Sequence, residues 1–153
     1  MAVKVLELHH HGIRVGPSPE EVAKARKFYG DVLGLDHDPG RPNIPSIDGY
    51  WMDVGGIAQI HLMGVAGQSN FAKGPGQDPS LPHVALAVAD IQETKKELER
   101  LGVDYWAAES VVGPQSLQIF MKDPFGNMIE LHQIDTCRCV TSRRSAARGG
   151  KMA

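Results

Sequence analysis

The sequence predicts an α+β fold made of two βαβββ modules, and three observations carry that reading. His10-His11-Gly12-Ile13-Arg14-Val15 and His83-Val84-Ala85-Leu86-Ala87-Val88 share one pattern at an offset of 73 residues. Each is followed by a helical stretch that ends on leucine and glycine, Leu33-Gly34-Leu35 in one and Leu101-Gly102-Val103 in the other. Each helix is followed by paired strand-like runs, in which Ile60-His61-Leu62 corresponds to Ile129-Glu130-Leu131 at an offset of 69.

In order along the chain, the stretch opening at His10 alternates as a strand does. The first helix starts at about Pro19, behind Ser18 as N-cap, with Val22, Ala25, Phe28 and Val32 at helical spacing. Tyr50 to Val54 and Ile57 to Met63 read as strands joined by the Gly55-Gly56 turn. A Gly/Pro/Ser-rich linker covers 64–82, and the second strand opens at His83. The second helix starts at about Ile91, with Asp90 as N-cap and Leu98 and Leu101 on its apolar side. Leu117 to Lys122 and Met128 to Gln133 form the last strand pair, joined by Asp123-Pro124-Phe125-Gly126-Asn127. The modules span about 1–65 and 80–135 and make one domain, 1–135.

Composition narrows the function classes. Apolar residues at 42% and charged residues at 22% fit a globular protein. No apolar run reaches the length of a membrane span and no signal-peptide core opens the chain, so a cytoplasmic protein is expected. The net charge of −2 favours neither nucleic acid nor a membrane surface as partner. That value conceals a basic stretch from Thr136 to Ala153, which holds Arg138, Arg143, Arg144, Arg148 and Lys151 and no acid. It has no hydrophobic period, so 136–153 is expected to be a disordered basic tail. Its Cys137 and Cys139 read as incidental thiols in a reducing compartment.

His10 and His83 hold one repeat-equivalent position, and His61 and Glu130 hold another. A pseudo-twofold axis would bring the four together, and three imidazoles with one carboxylate are the donor set of a divalent metal. Singly, each has an ordinary reading as a hydrogen-bonded or solvated strand residue.

The motifs Phe28-Tyr29-Gly30-Asp31-Val32-Leu33-Gly34-Leu35, Gln59-Ile60-His61-Leu62, His83-Val84-Ala85-Leu86-Ala87-Val88-Ala89-Asp90-Ile91 and Asp123-Pro124-Phe125-Gly126-Asn127-Met128-Ile129-Glu130-Leu131 resemble the vicinal oxygen chelate superfamily. That superfamily includes glyoxalases, bleomycin-resistance proteins and extradiol dioxygenases. The resemblance covers roughly residues 5–134. It implies a curved mixed sheet cupping a divalent metal (Ni, Zn, Co, Mn or Fe), with His10, His61, His83 and Glu130 as ligands. It also implies a homodimer and catalysis in preference to drug sequestration. The implied activity is that of a glyoxalase-like lyase, isomerase or epimerase, acting on a small substrate whose adjacent oxygens chelate the metal.

On that reading Glu130 is ligand and proton shuttle, and His132, on the same strand face, is its partner or an acid/base. Arg14 matches a family arginine that contacts an anionic part of the substrate. His61 departs from the carboxylate or amide that relatives carry there, which leaves open an Fe(II) dioxygenase, and a non-catalytic bleomycin-resistance-like binder remains a further alternative. His9 and His11 alternate with His10 and are expected to face away from the metal. Trp51, Met52, Met63 and Phe120 suit either core packing or an apolar pocket wall.

Overall fold

In the computed structural model, which describes residues 2–113 and 116–144, strand β1 (Val5–Arg14) is an interior strand of a mixed seven-stranded sheet. Helix α1 (Pro19–Asp31) follows, then β2 (Asp48–Val54), β3 (Ala58–Gly64), β4 (His83–Val88), α2 (Ile91–Leu101), β5 (Tyr105–Glu109), β6 (Leu117–Lys122) and β7 (Met128–Gln133). The strand order is β2-β3-β1-β4-β7-β6-β5, an open curved sheet. Both helices begin as the sequence indicates. The Ser18 hydroxyl accepts from the Glu21 amide at 3.2 Å, and the Asp90 carboxylate accepts from the Gln92 and Glu93 amides. Gly102 closes α2 with φ at 71°.

The register contains the pseudo-twofold relation. β1 and β4 are antiparallel, with His10 opposite Ala85 and Gly12 opposite His83, so repeat-equivalent residues exchange places across one axis. β3 lies parallel to β1 and β7 parallel to β4, which sets His61 beside Gly12 and Glu130 beside Ala85. Alternation then sends His10, His61, His83 and Glu130 to the same face. The opposite face carries the helices. There Val88, Ile91, Leu98, Ile119 and Leu131 form one buried cluster, each side chain contributing about 1.5–3 kcal/mol by leaving water. A second cluster, including Trp51, Met63, Phe120 and Met128, lies on the cupped face. Among the described residues no helix is long and apolar enough to cross a membrane.

The first unit falls one strand short of βαβββ. Where the missing strand would run, only His37 bridges to Met52, with the Asp38 amide donating to the Trp51 carbonyl and the Asp53 amide to that of Asp36. Pro39-Gly40 and Pro42 interrupt the run, and the two prolines have no amide hydrogen to give to a ladder. The linker is tied down by the buried Asp78 carboxylate, which accepts from the Ser69 amide and hydroxyl and from the Ser80 amide and hydroxyl.

Two expectations are corrected here. The tail is not disordered from Thr136. Asp135 adopts φ 64° and turns the chain back, and Thr136–Arg144 crosses the open cup. Cys139 is 1% exposed and Arg138 5%. Arg138 pairs with buried Asp38 through two hydrogen bonds of 2.8 and 2.7 Å, and Arg144 reaches Asp53 and Asp38. Paired charge does most to hold this strap, with only Cys139 and Val140 buried as apolar groups, too few to give a hydrophobic pattern. The remaining tail residues, 145–153, lie outside the described residues. Second, His9 does not face away: a β-bulge shifts the β1–β4 register between Leu8 and His10 and turns His9 onto the cupped face. His11 is exposed on the other face, as alternation requires.

Candidate metal centre

At the centre of the cup three donors converge. His10 Nε2 lies 3.2 Å from His83 Nε2 and 3.6 Å from Glu130 Oε1, and His83 Nε2 lies 3.3 Å from the same oxygen. All three residues are buried. His83 Nδ1 donates to the Leu81 carbonyl at 2.7 Å, so that in the neutral ring, the form that binds a metal, Nε2 aims its lone pair inward. Gly12 makes this possible: a Cβ there would stand 2.7 Å from His83 Cε1. The separations match those between neighbouring ligands of a divalent ion with metal–nitrogen bonds of about 2.0–2.1 Å. Gln118 donates its amide to Glu130 Oε1 at 3.0 Å, while its own Oε1 is buried without a partner among the described residues. Converging lone pairs and an orphaned acceptor are the state of a site built for a cation.

His61, the fourth expected ligand, is not gathered into this trio. Its ring stacks on His10 at 3.6 Å and on Trp51 at 4.5 Å, and its Nε2 bonds to Gln59 Oε1 at 2.8 Å. Its nearest donor company is His10 and Cys139, not His83 and Glu130. Of the four expected ligands the structure thus brings three to one point, and His61 serves as a packing wall beside them. Burial holds the His61 imidazole well below its ordinary pKa, and His10 adds to that. For Glu130, burial would raise the carboxyl, but His10 and the hydrogen bonds from His10, His132 and His83 outweigh it and hold it well below the usual range. Burial opposes a charged His83, yet Glu130 overcomes this and raises it.

Arg14, expected to meet substrate, is occupied elsewhere. Its Nε donates to the Ser80 carbonyl at 3.0 Å and its Nη2 to the Ser80 hydroxyl at 2.7 Å, so it fastens the linker to the rim and does not line the cavity. Two guanidinium groups do line the cavity, Arg138, which is paired with Asp38, and Arg41. Arg41 lies over Trp51 and donates to the Ile47 carbonyl at 2.8 Å, and its Nε is buried without a partner among the described residues. Burial lowers its pKa. Arg41 sits in the irregular segment that replaces the missing strand, where no periodicity marks it. The cavity is about 670 Å³ and is walled by His10, Arg41, Trp51, Gln118 and Glu130, with the strap closing one side through Cys139.

His132 is on the same face as Glu130 and approaches Glu130 Oε2 with Nδ1 at 3.3 Å. Burial opposes its charge, but Cys137 and Glu130 raise it to about 9. Cys139 Sγ lies 3.3 Å from His10 Nδ1. The strap thus brings to the centre two thiols that sequence pattern placed in a solvated tail.

A model of the Glyoxalase/Bleomycin resistance protein/Dioxygenase superfamily matches residues 8–131. No curated protein matches the chain. Among solved structures, methylmalonyl-CoA epimerase from Mycobacterium tuberculosis is similar at 27% identity, covering 87% of this chain and 90% of that one, with a TM-score of 0.65. A hypothetical protein from Bacillus halodurans matches at 24% identity, with 83% and 93% covered and a TM-score of 0.61. A Streptomyces coelicolor methylmalonyl-CoA epimerase variant in complex with 2-nitronate-propionyl-CoA matches at 15%, with 85% and 98% covered and a TM-score of 0.59. The last two are likenesses of fold alone.

Proposed function

We propose, from the premise that this chain belongs to the Glyoxalase/Bleomycin resistance protein/Dioxygenase superfamily, that it is a metal-dependent enzyme of the isomerase or epimerase type. Its substrate is a small acyl thioester, of the methylmalonyl-CoA kind, with oxygens adjacent enough to chelate. The observation that carries this reading is the convergence of His10 Nε2, His83 Nε2 and Glu130 Oε1 on the wall of a cavity that also holds Arg41 and Gln118.

His10, His83 and Glu130 would hold a divalent ion, which would supply Lewis acidity to a substrate carbonyl and so acidify the carbon beside it. The chain's own residues do the rest. Arg41 offers a desolvated fork to a substrate carboxylate, and its free Nε is the donor not yet committed. Gln118 and His132 hold opposite oxygens of Glu130, one from each side, and so aim the carboxylate. Glu130 takes the proton from the carbon and returns it, one base serving both steps. Trp51 and Met63 exclude water from the reacting carbon. A homodimer belongs to the same reading; exposed Val5, Leu6 and Leu8 are apolar side chains it would cover.

One observation favours a second reading. With His61 outside the trio, His10, His83 and Glu130 are a two-histidine, one-carboxylate set, the pattern of an Fe(II) dioxygenase. The readings separate in one experiment. Protein purified without chelator is assayed for metal, then each metal form is offered acyl-CoAs in D2O, hemithioacetals and catechols. Deuterium incorporation beside the thioester carbonyl supports the epimerase. Oxygen uptake with catechol by the iron form, without deuterium exchange in any thioester, overturns it.

A further inference from the structure

A second cluster of donors lies next to the first, and of its members only His132 enters the readings above, through its other ring nitrogen. His9 Nδ1 is 2.7 Å from His132 Nε2, and Cys137 Sγ is 3.1 Å from His9 Nδ1. One ligand atom from each of the three falls within 4.8 Å of the others. His9 is 1% exposed and His132 4%.

Three separate structural devices create this meeting. The bulge in β1 turns His9 inward, the period of two on β7 puts His132 beside Glu130, and the turn at Asp135 returns Cys137 over both. The outer nitrogens of the two rings are both committed. His9 Nε2 meets Glu7 Oε2 at 2.6 Å, and His132 Nδ1 meets Glu130 Oε2 at 3.3 Å. Glu7 is itself locked by Arg143, at 2.8 and 2.5 Å. A carboxylate only accepts, so each outer nitrogen carries the hydrogen and donates it. In a neutral ring the inner nitrogen is then a lone pair. With both rings neutral, two lone pairs face each other at 2.7 Å beside the Cys137 sulfur; in the absence of an ion a proton on His132 bridges them, and that proton is what a cation replaces. A cation satisfies both and the sulfur together. Carboxylates backing the far nitrogens of two histidines are also how metal-bound imidazoles are oriented.

We propose that His9, His132 and Cys137 form a second metal-ion site, separate from the His10–His83–Glu130 trio, for a thiophilic divalent ion of the Zn2+ class. Two imidazoles and a thiolate leave a fourth tetrahedral position open. Seating the ion requires the donors to spread to about 3.3–3.6 Å apart, the separation of tetrahedral nitrogen and sulfur ligands. The Cys139 amide donates to Cys137 Sγ at 3.2 Å, which suits a charged sulfur. Glu130 touches both sites, one oxygen toward His83 and the other toward His132, so an ion at the second site fixes His132 as a permanent donor to Glu130.

Co2+ is the probe, because a thiolate bound to it gives a near-ultraviolet charge-transfer band. Apo full-length chain titrated with Co2+ takes up a second equivalent and develops the band. Cys137→Ser and His9→Gln lose both the band and that equivalent, Cys139→Ser keeps them, and His83→Ala loses the other equivalent. Glu7→Gln weakens the second equivalent about ten- to a hundredfold. Independently of folding in any variant, Zn2+ protects Cys137 of the wild-type chain from iodoacetamide, read by mass spectrometry. A single equivalent in wild type with an identical titration in Cys137→Ser overturns the site. So does a band that disappears in Cys139→Ser only, or alkylation of Cys137 unaffected by Zn2+.

Discussion

The first unit offers the centre His10 and lays His61 against it, while the second offers His83, Glu130, His132 and Gln118. The register relates the two units closely, with Gly12 and Ala85 exchanging places across β1 and β4. Their surroundings are not related. The second unit has four strands and an α2 that buries Ile91, Thr94 and Leu98. The first has three strands and an α1 that buries Val22. What the first unit lacks, the strap supplies, through Arg138 and Arg144 on Asp38 and Asp53. The repeated register thus fixes where donors stand, and the segments outside the repeat decide which of them meet.

The largest effects should fall on the second unit. Glu130→Gln should lower turnover about 10²- to 10⁴-fold, the usual worth of a positioned base, with metal partly retained. His61→Gln, at the equivalent position, should cost far less. Parallel turnover and metal assays of the two variants check the contrast, and equal losses would remove it.

Next comes the strap. Asp38→Ala leaves two buried guanidinium groups short of a partner and should destabilise the fold by about 3–5 kcal/mol in urea unfolding. Its pH dependence has a definite sign. Burial would raise the Asp38 carboxyl, but Arg138, the Gly40 amide and Arg144 outweigh this and hold it below its ordinary 3.8. A lowered folded pKa gives stability that is fully present above the unfolded value and lost as pH falls through the folded one. Wild-type stability should therefore decline below about pH 4, with a shallower decline in Asp38→Ala, followed by unfolding at stepped pH.

The smallest effect tests the axis itself. Gly12→Ala drives a methyl into the His83 ring and should cost about 1–3 kcal/mol while weakening metal uptake. Ala85→Gly, its mirror, should cost only about 0.5–1 kcal/mol and leave uptake alone. Calorimetry with metal titration distinguishes them.

Much of this was legible in the sequence, and the rest was hidden for physical reasons. His10, His83 and Glu130 stand on strands where a period of two predicts the face. His9 could not be placed that way, because a bulge adds a residue that alternation does not record. Cys137 and Cys139 were hidden because the strap is held by ion pairs to Asp38 and Asp53, about a hundred residues away, and composition reads paired and solvated arginines alike. Arg14 shows the converse: its motif match was right for the strand, yet the Ser80 carbonyl and hydroxyl had already taken its donors.

The aromatic stack beside the centre has an optical consequence. Trp51 lies on His61 and His61 on His10, with ring centroids 4.5 and 3.6 Å apart, so one indole is coupled through a single imidazole to a ligand of the trio. The other tryptophan, Trp106, is stacked on Phe120 instead. The protein therefore carries a built-in fluorophore at its own centre, and a paramagnetic ion arriving at His10 should quench Trp51 emission while Trp106 remains the brighter reference.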